Sequence, residues 1–306
     1  MGGTSYDPKT YASYASTTSA KTHHDYHARA MPKGMDPKVI KVRESRVHDL
    51  HPHPTPIIVG LDVTGSMGSV VEAMRKGLGT LFEEIINRNP VTDPHVLAMA
   101  IGDMDCDSAP VQATQFEADP VTIGKQIEEL YLERGGGGNN HESYLGPLYF
   151  ALMRTACDAF KESPPRKGFL FTVGDEEPQD VLTKHQIEKF FGDQPRQDYT
   201  AAELIAAVER NWHVFHIIVM EGDYASRRPD ITVEKWTDLL GQRAMPLRDH
   251  TKMAEVIISA IEVIAGKDAD AVAKSWSGDT SMVVADALRG LPTTGAGAAT
   301  SGPVRL

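Results

Sequence analysis

The chain has 306 residues and a formal net charge of −11 at neutral pH, length enough for one large domain or two small ones around a buried core. The charge is uneven: residues 1 to 53 carry eight Lys/Arg against five Asp/Glu, so the remainder holds −14 and should repel a nucleic-acid backbone. With no run of eighteen apolar residues, no apolar centre of a signal peptide and only Cys106 and Cys157 as cysteines, the chain reads as a soluble protein of a reducing cytoplasm, without membrane or nucleic-acid partners.

From Met1 to about Pro54 the sequence is rich in Ser, Thr, Ala, Tyr, His and Pro and shows no extended apolar periodicity. Residues 1–55 are therefore expected to form a flexible arm, within which Val39 to Val47 has the composition of a short strand or helix. Tyr6, Tyr11, Tyr14 and Tyr26 suit docking on a partner or a neighbouring subunit. Six of the twelve histidines also fall in the first 53 residues, but a mobile polar tail offers no fixed geometry for a metal.

The organising stretch is Ile57 to Ser69, IIVGLDVTGSMGS. Ile57, Ile58, Val59 and Leu61, bounded upstream by Pro54 and Pro56, fit a strand buried on both faces of a parallel sheet. Its end carries Asp62, Thr64 and Ser66 at alternate positions, then Gly65 and Gly68, then a helical pattern from Val70 to Arg88. A carboxylate and two hydroxyls on one tight turn can supply half an octahedral shell for Mg²⁺ or Mn²⁺. A Ser/Thr/Gly turn is also a common helix N-cap.

A second strand is predicted at His95 to Gly102, followed by Asp103, Asp105 and Asp107 around Cys106. These acids read either as a second cation site or as a solvated loop, since the glycine and distal glutamate of an EF-hand are missing. A short edge strand at Val111 to Phe116 and a helix at Val121 to Leu132 come next. The run Arg134 to Ser143, RGGGGNNHES, allows close backbone approach to a ligand, and a helix follows over Ser143 to Phe160. A buried strand, Gly168 to Val173, ends in Asp175, Glu176 and Glu177. Downstream, helices are expected near Leu182 to Phe191, Ala201 to Arg210, Val233 to Leu240 and Met253 to Ile264. Strands are expected at Trp212 to Met220 and Ala244 to Leu247, with His213 and His216 read as packing residues. The alternation of strands and helices predicts an α/β fold with a doubly wound, mostly parallel sheet flanked by helices, binding ligands at the strands' carboxyl ends.

Asp-x-Thr-x-Ser-x-Gly at a strand-to-helix turn, with an aspartate after a later strand and this order of elements, resembles the metal-ion-dependent adhesion site (MIDAS) of von Willebrand factor A domains, in a stand-alone, bacterial-type cytoplasmic form. The resemblance covers about Pro56 to Gly266, giving a domain over 56–266 between the arm and a C-terminal tail, 267–306, with one short helix at Ser281 to Leu288. It implies metal binding by Asp62, Thr64 and Ser66, with Asp175 in the last metal loop, reaching the ion through water. The glycine run stands where the family's second metal loop falls. No threonine is there, so the fourth ligand is Glu142 first, Asn139 second and Ser143 third.

The leading expectation is a non-enzymatic, protein-protein interaction module in which Mg²⁺ or Mn²⁺ keeps a coordination position open for a partner's Asp or Glu carboxylate. The family resemblance implies work within a multiprotein assembly, in some members alongside an AAA+ ATPase. The alternatives are a metal-dependent hydrolase with Glu142, His141 or Glu176 as base, and a structural subunit tethered through the arm and tail.

Overall fold

The computed structural model describes residues 7–18, 30–65, 77, 80, 81, 84, 85, 87–131 and 140–292. In chain order its elements are α1 (Pro8–Thr18), β1 (Arg43–Ser45), β2 (Thr55–Asp62), β3 (Pro94–Ile101), β4 (Val111–Ala113), α2 (Pro120–Glu128), β5 (His141–Glu142), α3 (Leu145–Met153), β6 (Thr155–Cys157), β7 (Gly168–Gly174), β8 (Glu177–Pro178) and β9 (Val181–Leu182). Then follow α4 (Lys184–Phe191), β10 (Tyr199–Thr200), α5 (Ala201–Val208), β11 (Trp212–Val219), α6 (Asp223–Arg227), α7 (Pro229–Leu240), β12 (Ala244–Leu247), α8 (Met253–Ile264), α9 (Ala269–Lys274) and α10 (Asp279–Ala287).

Six strands form the central sheet in the order β12-β11-β7-β2-β3-β4. All neighbours are parallel except β4, which runs antiparallel to β3 at the edge. The near-continuous apolar runs of β2, β3, β7 and β11 are what such a sheet requires, because helices cover both faces. Ile57, Val59, Leu61, Phe171 and Ile217 meet α8 on one face, together with Leu81 and Ile85 of the helix that follows β2. Ile58, Leu97, Leu170 and Ile218 meet Phe150 of α3 and Leu204 of α5 on the other. The chain leaves β2 for β3 on one side and later returns to β7 on the other, so the strand order reverses between β2 and β7. That reversal opens a crevice at their carboxyl ends, where α/β sheets bind ligands. The register pairs Leu61 with Val173, which sets Asp62 at one lip and Asp175 at the other.

Three segments differ from the sequence expectation. Residues 30–54 are laid on the core: Met35 and Ile40 are buried, β1 pairs in parallel with β6, and the guanidinium of buried Arg43 donates to the Gly34 and Ala113 carbonyls. Short and irregular, this segment has no periodicity to betray its burial. Within α1, Tyr14 donates to Glu128 at 2.6 Å. The helix expected over Ser143 to Phe160 ends at Met153, because the next residues supply β6 as the partner of β1. The tail holds two helices, α9 and α10, whose Val272, Ala273, Val284 and Ala287 are buried in the same cluster as α8. Among the described residues no helix is long and apolar enough to cross a membrane.

Because Ile40 is packed among Ile58, Leu97 and their neighbours, Ile40→Ala should lower stability by about 2–4 kcal/mol, read as a fall in the denaturant midpoint. An unchanged midpoint would return this segment to a mobile arm.

Candidate metal centre

Asp62 closes β2 with its side chain wholly buried. Its Oδ1 accepts from the Thr64 backbone N–H at 2.9 Å and from the Thr64 hydroxyl at 2.6 Å. Thr64 gives its hydroxyl proton to Asp62 in this bond, so what that oxygen can offer a cation is a lone pair. Asp62 Oδ2 accepts from the Tyr144 hydroxyl at 2.8 Å, and the Glu176 backbone N–H donates to the same phenol oxygen at 3.3 Å. Tyr144 thus ties the end of β2 to the loop after β7. It fits there because residue 174 is glycine: a Cβ at Gly174 would overlap the phenol ring.

Asp175 is also buried, and its Oδ2 accepts from the Tyr224 backbone N–H at 2.8 Å. Gly222 makes room for it, since a Cβ there would collide with the Asp175 carboxyl. Glu142, the last residue of β5, is 2% exposed. Two contacts hold it in the crevice. The adjoining Ser143 donates its N–H to the Gly102 carbonyl at 3.1 Å and accepts from the Met104 N–H at 2.8 Å. On the other side β5 pairs with β8, with the Glu177 N–H donating to the Asn140 carbonyl at 3.2 Å. Among the described residues, Glu142 Oε2 and Glu176 Oε2 are buried with no hydrogen-bond partner.

The acidic loop after β3 joins this cluster through buried Asp103 and Asp107, while Asp105 stays exposed. Asp107 Oδ2 accepts from the Asp103 N–H at 2.7 Å. The purely solvated loop allowed by sequence is therefore corrected at these two positions. Ser66 and Asn139 lie outside the described residues. Ser143 is committed to the β3 loop as described. His216 is buried, bonded to Thr172 at 2.8 Å and stacked on Trp236, the packing role expected of it.

The electrostatics are those of acids crowded out of water. Burial first, then neighbouring Asp175, pushes the Asp62 carboxyl up to about 7. Burial, then Asp62, Glu176, Asp103 and Asp107 in turn, pushes Glu142 up to about 10. Burial, then Asp62, Asp175 and Asp103, pushes Glu176 up to about 8. Such a cluster is stabilised by protons or by a cation, and its unpartnered oxygens are hard donors of the kind Mg²⁺ and Mn²⁺ take. Hydroxyl and carboxylate oxygens from Asp62, Thr64, Asp175 and Glu142 fit such an ion. Among the described residues, the three metal-ligating side chains that bring one ligand atom each within 4.8 Å of one another are Glu221, Asp249 and His250. No three of the buried carboxylates meet that spacing among the described residues, so hydroxyl oxygens such as that of Thr64 would have to complete a shell.

No family model matches the chain, and no curated protein matches it. Solved structures similar to it include proximal thread matrix protein 1 of the mussel byssus with a zinc-occupied MIDAS motif, at 11% identity and a TM-score of 0.45, covering 72% of this chain and 49% of that one. The pilus adhesin SpaC of Lactobacillus rhamnosus GG is similar at 10% identity and a TM-score of 0.43, over 72% of this chain and 32% of the adhesin. BatB of Bacteroides thetaiotaomicron is similar at 13% identity and a TM-score of 0.33, over 54% of this chain and 66% of BatB. The chain spans about a third of the adhesin and about half of the matrix protein.

The raised carboxyls give a signed expectation for the metal-free protein. Groups that hold protons more tightly when folded contribute stability at low pH and lose it as pH rises through their folded values. In chelator, the melting temperature should fall between pH 5 and pH 8, by roughly 2–4 °C per kcal/mol lost, and Glu176→Gln should flatten the fall. A wild-type melting temperature that climbs over that window would contradict the assignment.

Proposed function

We propose that the chain is a metal-dependent interaction module of the von Willebrand factor A type, holding Mg²⁺ or Mn²⁺ in the crevice between β2 and β7. The observation that carries this reading is the set of buried carboxylates there, with Glu142 Oε2 enclosed and, among the described residues, unpartnered. A buried carboxylate without a partner costs several kcal/mol, and a divalent cation removes that cost. Thr64 and Asp62 would hold the ion from the end of β2, Glu142 from β5, and Asp175 from the loop after β7, with Ser66 and Asn139 as further donors from the sequence.

The bound ion supplies a positive charge in a partly dry crevice. A partner's Asp or Glu carboxylate reaching the open side would make a charge-assisted contact that water replaces poorly. The chain's own residues position that contact: Tyr144 fixes Asp62, Gly222 admits Asp175, and Ser143 anchors Glu142. The partner is read as a protein presenting an acidic side chain, either an AAA+ ATPase or another member of a larger assembly, in the cytoplasm. The two free cysteines agree with a reducing compartment.

Two experiments test this. Mg²⁺ at a hundred times its dissociation constant should stabilise the wild type by about 2.7 kcal/mol, and Asp62→Ala should abolish the rise in melting temperature; an unchanged response in the variant would remove the β2 turn from the site. Glu142→Gln should weaken metal affinity and alter chelator-sensitive capture of the partner. Metal-dependent turnover of phosphoester, ester or peptide that vanishes in Glu142→Gln with metal affinity intact would instead make Glu142 a general base and the chain an enzyme.

A further inference from the structure

We propose a second metal centre that shares no residue with the crevice: a Zn²⁺ site formed by Glu221, Asp249 and His250 just beyond the carboxyl ends of β11 and β12. Val219 of β11 and Leu247 of β12 are register partners, and the Met220 N–H donates to the Leu247 carbonyl at 2.9 Å. Glu221 and Asp249 each stand two residues beyond that pair, so the parallel pairing delivers both carboxylates to one place. His250 comes next along the chain, and its backbone N–H and its Nδ1 each lie 2.7 Å from Glu221 Oε2. One ligand atom from each of the three side chains falls within 4.8 Å of the other two, the one group of His, Cys, Asp or Glu among the described residues that does so.

The spacing suits a small tetrahedral ion. Zinc with bonds of about 2.0–2.1 Å holds its ligand atoms about 3.3 Å apart. The Glu221 side chain is 43% exposed, so it can draw back from the imidazole to admit the ion, and the proton shared by Nδ1 and Oε2 passes to solvent as the metal takes its place. Asp249 is already fixed for the role. Its Oδ1 accepts from the Thr251 N–H at 3.0 Å and from the Thr251 hydroxyl at 2.6 Å, capping the turn His250–Lys252. These bonds leave Oδ2 for the ion, and outer contacts of this kind are what orient a ligating carboxylate.

Charge and donor type set the class of ion. The flanking cations are engaged elsewhere, since Arg248 donates to Asp286 at 2.9 Å and Lys252 faces Glu255 at 3.9 Å. Among the described residues neither Glu221 nor Asp249 has a Lys or Arg ion-pair partner, so two carboxylates and one imidazole offer a divalent cation net negative charge. Oxygen alone, as in the crevice, suits Mg²⁺ or Mn²⁺, whereas an imidazole nitrogen with two carboxylates suits Zn²⁺. Three protein ligands leave a fourth position for water on the solvent side. Zinc held here ties the loop after β12 to the loop after β11, whose Gly222 makes room for Asp175 and whose Tyr224 N–H donates to it.

The test titrates Zn²⁺ calorimetrically into the full chain, stripped with chelator and then saturated with Mg²⁺, and counts bound zinc by mass spectrometry. Wild type is compared with Glu221→Gln, Asp249→Asn, His250→Ala and, for the crevice, Asp62→Ala. The two amide substitutions keep side-chain shape, and a melting curve confirms that each variant is folded. Each of the three ligand variants should bind one Zn²⁺ fewer than wild type, or bind it at least about tenfold more weakly, while Asp62→Ala retains it. Zinc should also shift the His250 imidazole signals in NMR spectra of both wild type and Asp62→Ala. Zinc count and affinity unchanged in all three ligand variants would overturn the site, because other groups would then hold the ion. Zinc binding lost in Asp62→Ala and kept in His250→Ala would place the ion in the crevice and overturn it too, as would the absence of saturable Zn²⁺ binding to the wild type.

Discussion

The structure depends on one constraint: carboxylates from four different loops converge in a crevice from which the fold excludes water. Asp62, Asp103, Glu142, Asp175 and Glu176 are buried together, and burial is the first cause of the rise of Asp62, Glu142 and Glu176. Charges desolvated in this way repel one another far more strongly than in water. Protons meet the constraint in the metal-free molecule, and in the proposed metal-loaded molecule cations would take their place. Everything proposed for function is an exchange between those two solutions.

The sheet makes the convergence unavoidable. Reversal of strand order between β2 and β7 opens a gap at their carboxyl ends, and side chains at the strand ends and in the following loops line it. Tyr144 is the brace. Its phenol donates to Asp62, accepts from Glu176 N–H and packs edge-on against His216 and Trp236, while Trp236 donates to the Glu176 carbonyl at 2.9 Å. The acids are therefore fixed by a polar and aromatic scaffold.

Much of this was legible in the sequence. The apolar runs of β2, β3, β7 and β11 predicted the doubly wound sheet, and Asp62, Thr64, Glu142 and Asp175 were placed at strand ends that the fold does bring to one crevice. The strand β1 lies within Val39 to Val47, read as a short strand or helix, but the packing of residues 30–54 on the core escaped notice because a three-residue strand and two isolated apolar contacts leave no periodic trace. In the tail, α10 (Asp279–Ala287) lies where a short helix was expected at Ser281 to Leu288, whereas α9 has only six residues, too short for a 3.6-residue repeat to stand out. Tyr144 as a brace and Glu176 as a buried acid were not legible as such, since one depends on a glycine thirty positions away and the other on a pairing of two-residue strands. The enclosure of Asp103 and Asp107 likewise follows from a tertiary contact, the bonds of Ser143 to Gly102 and Met104.

The central claim is that cations displace protons from this crevice. Calorimetric titration of the metal-free chain with Mg²⁺ at pH 7, repeated in buffers of different ionisation enthalpy, measures the protons released on binding. With Asp62 raised to about 7, Glu176 to about 8 and Glu142 to about 10, more than one proton per chain should be released. Saturable Mg²⁺ binding that releases none would contradict it, because the ion would then lie somewhere other than among these carboxylates.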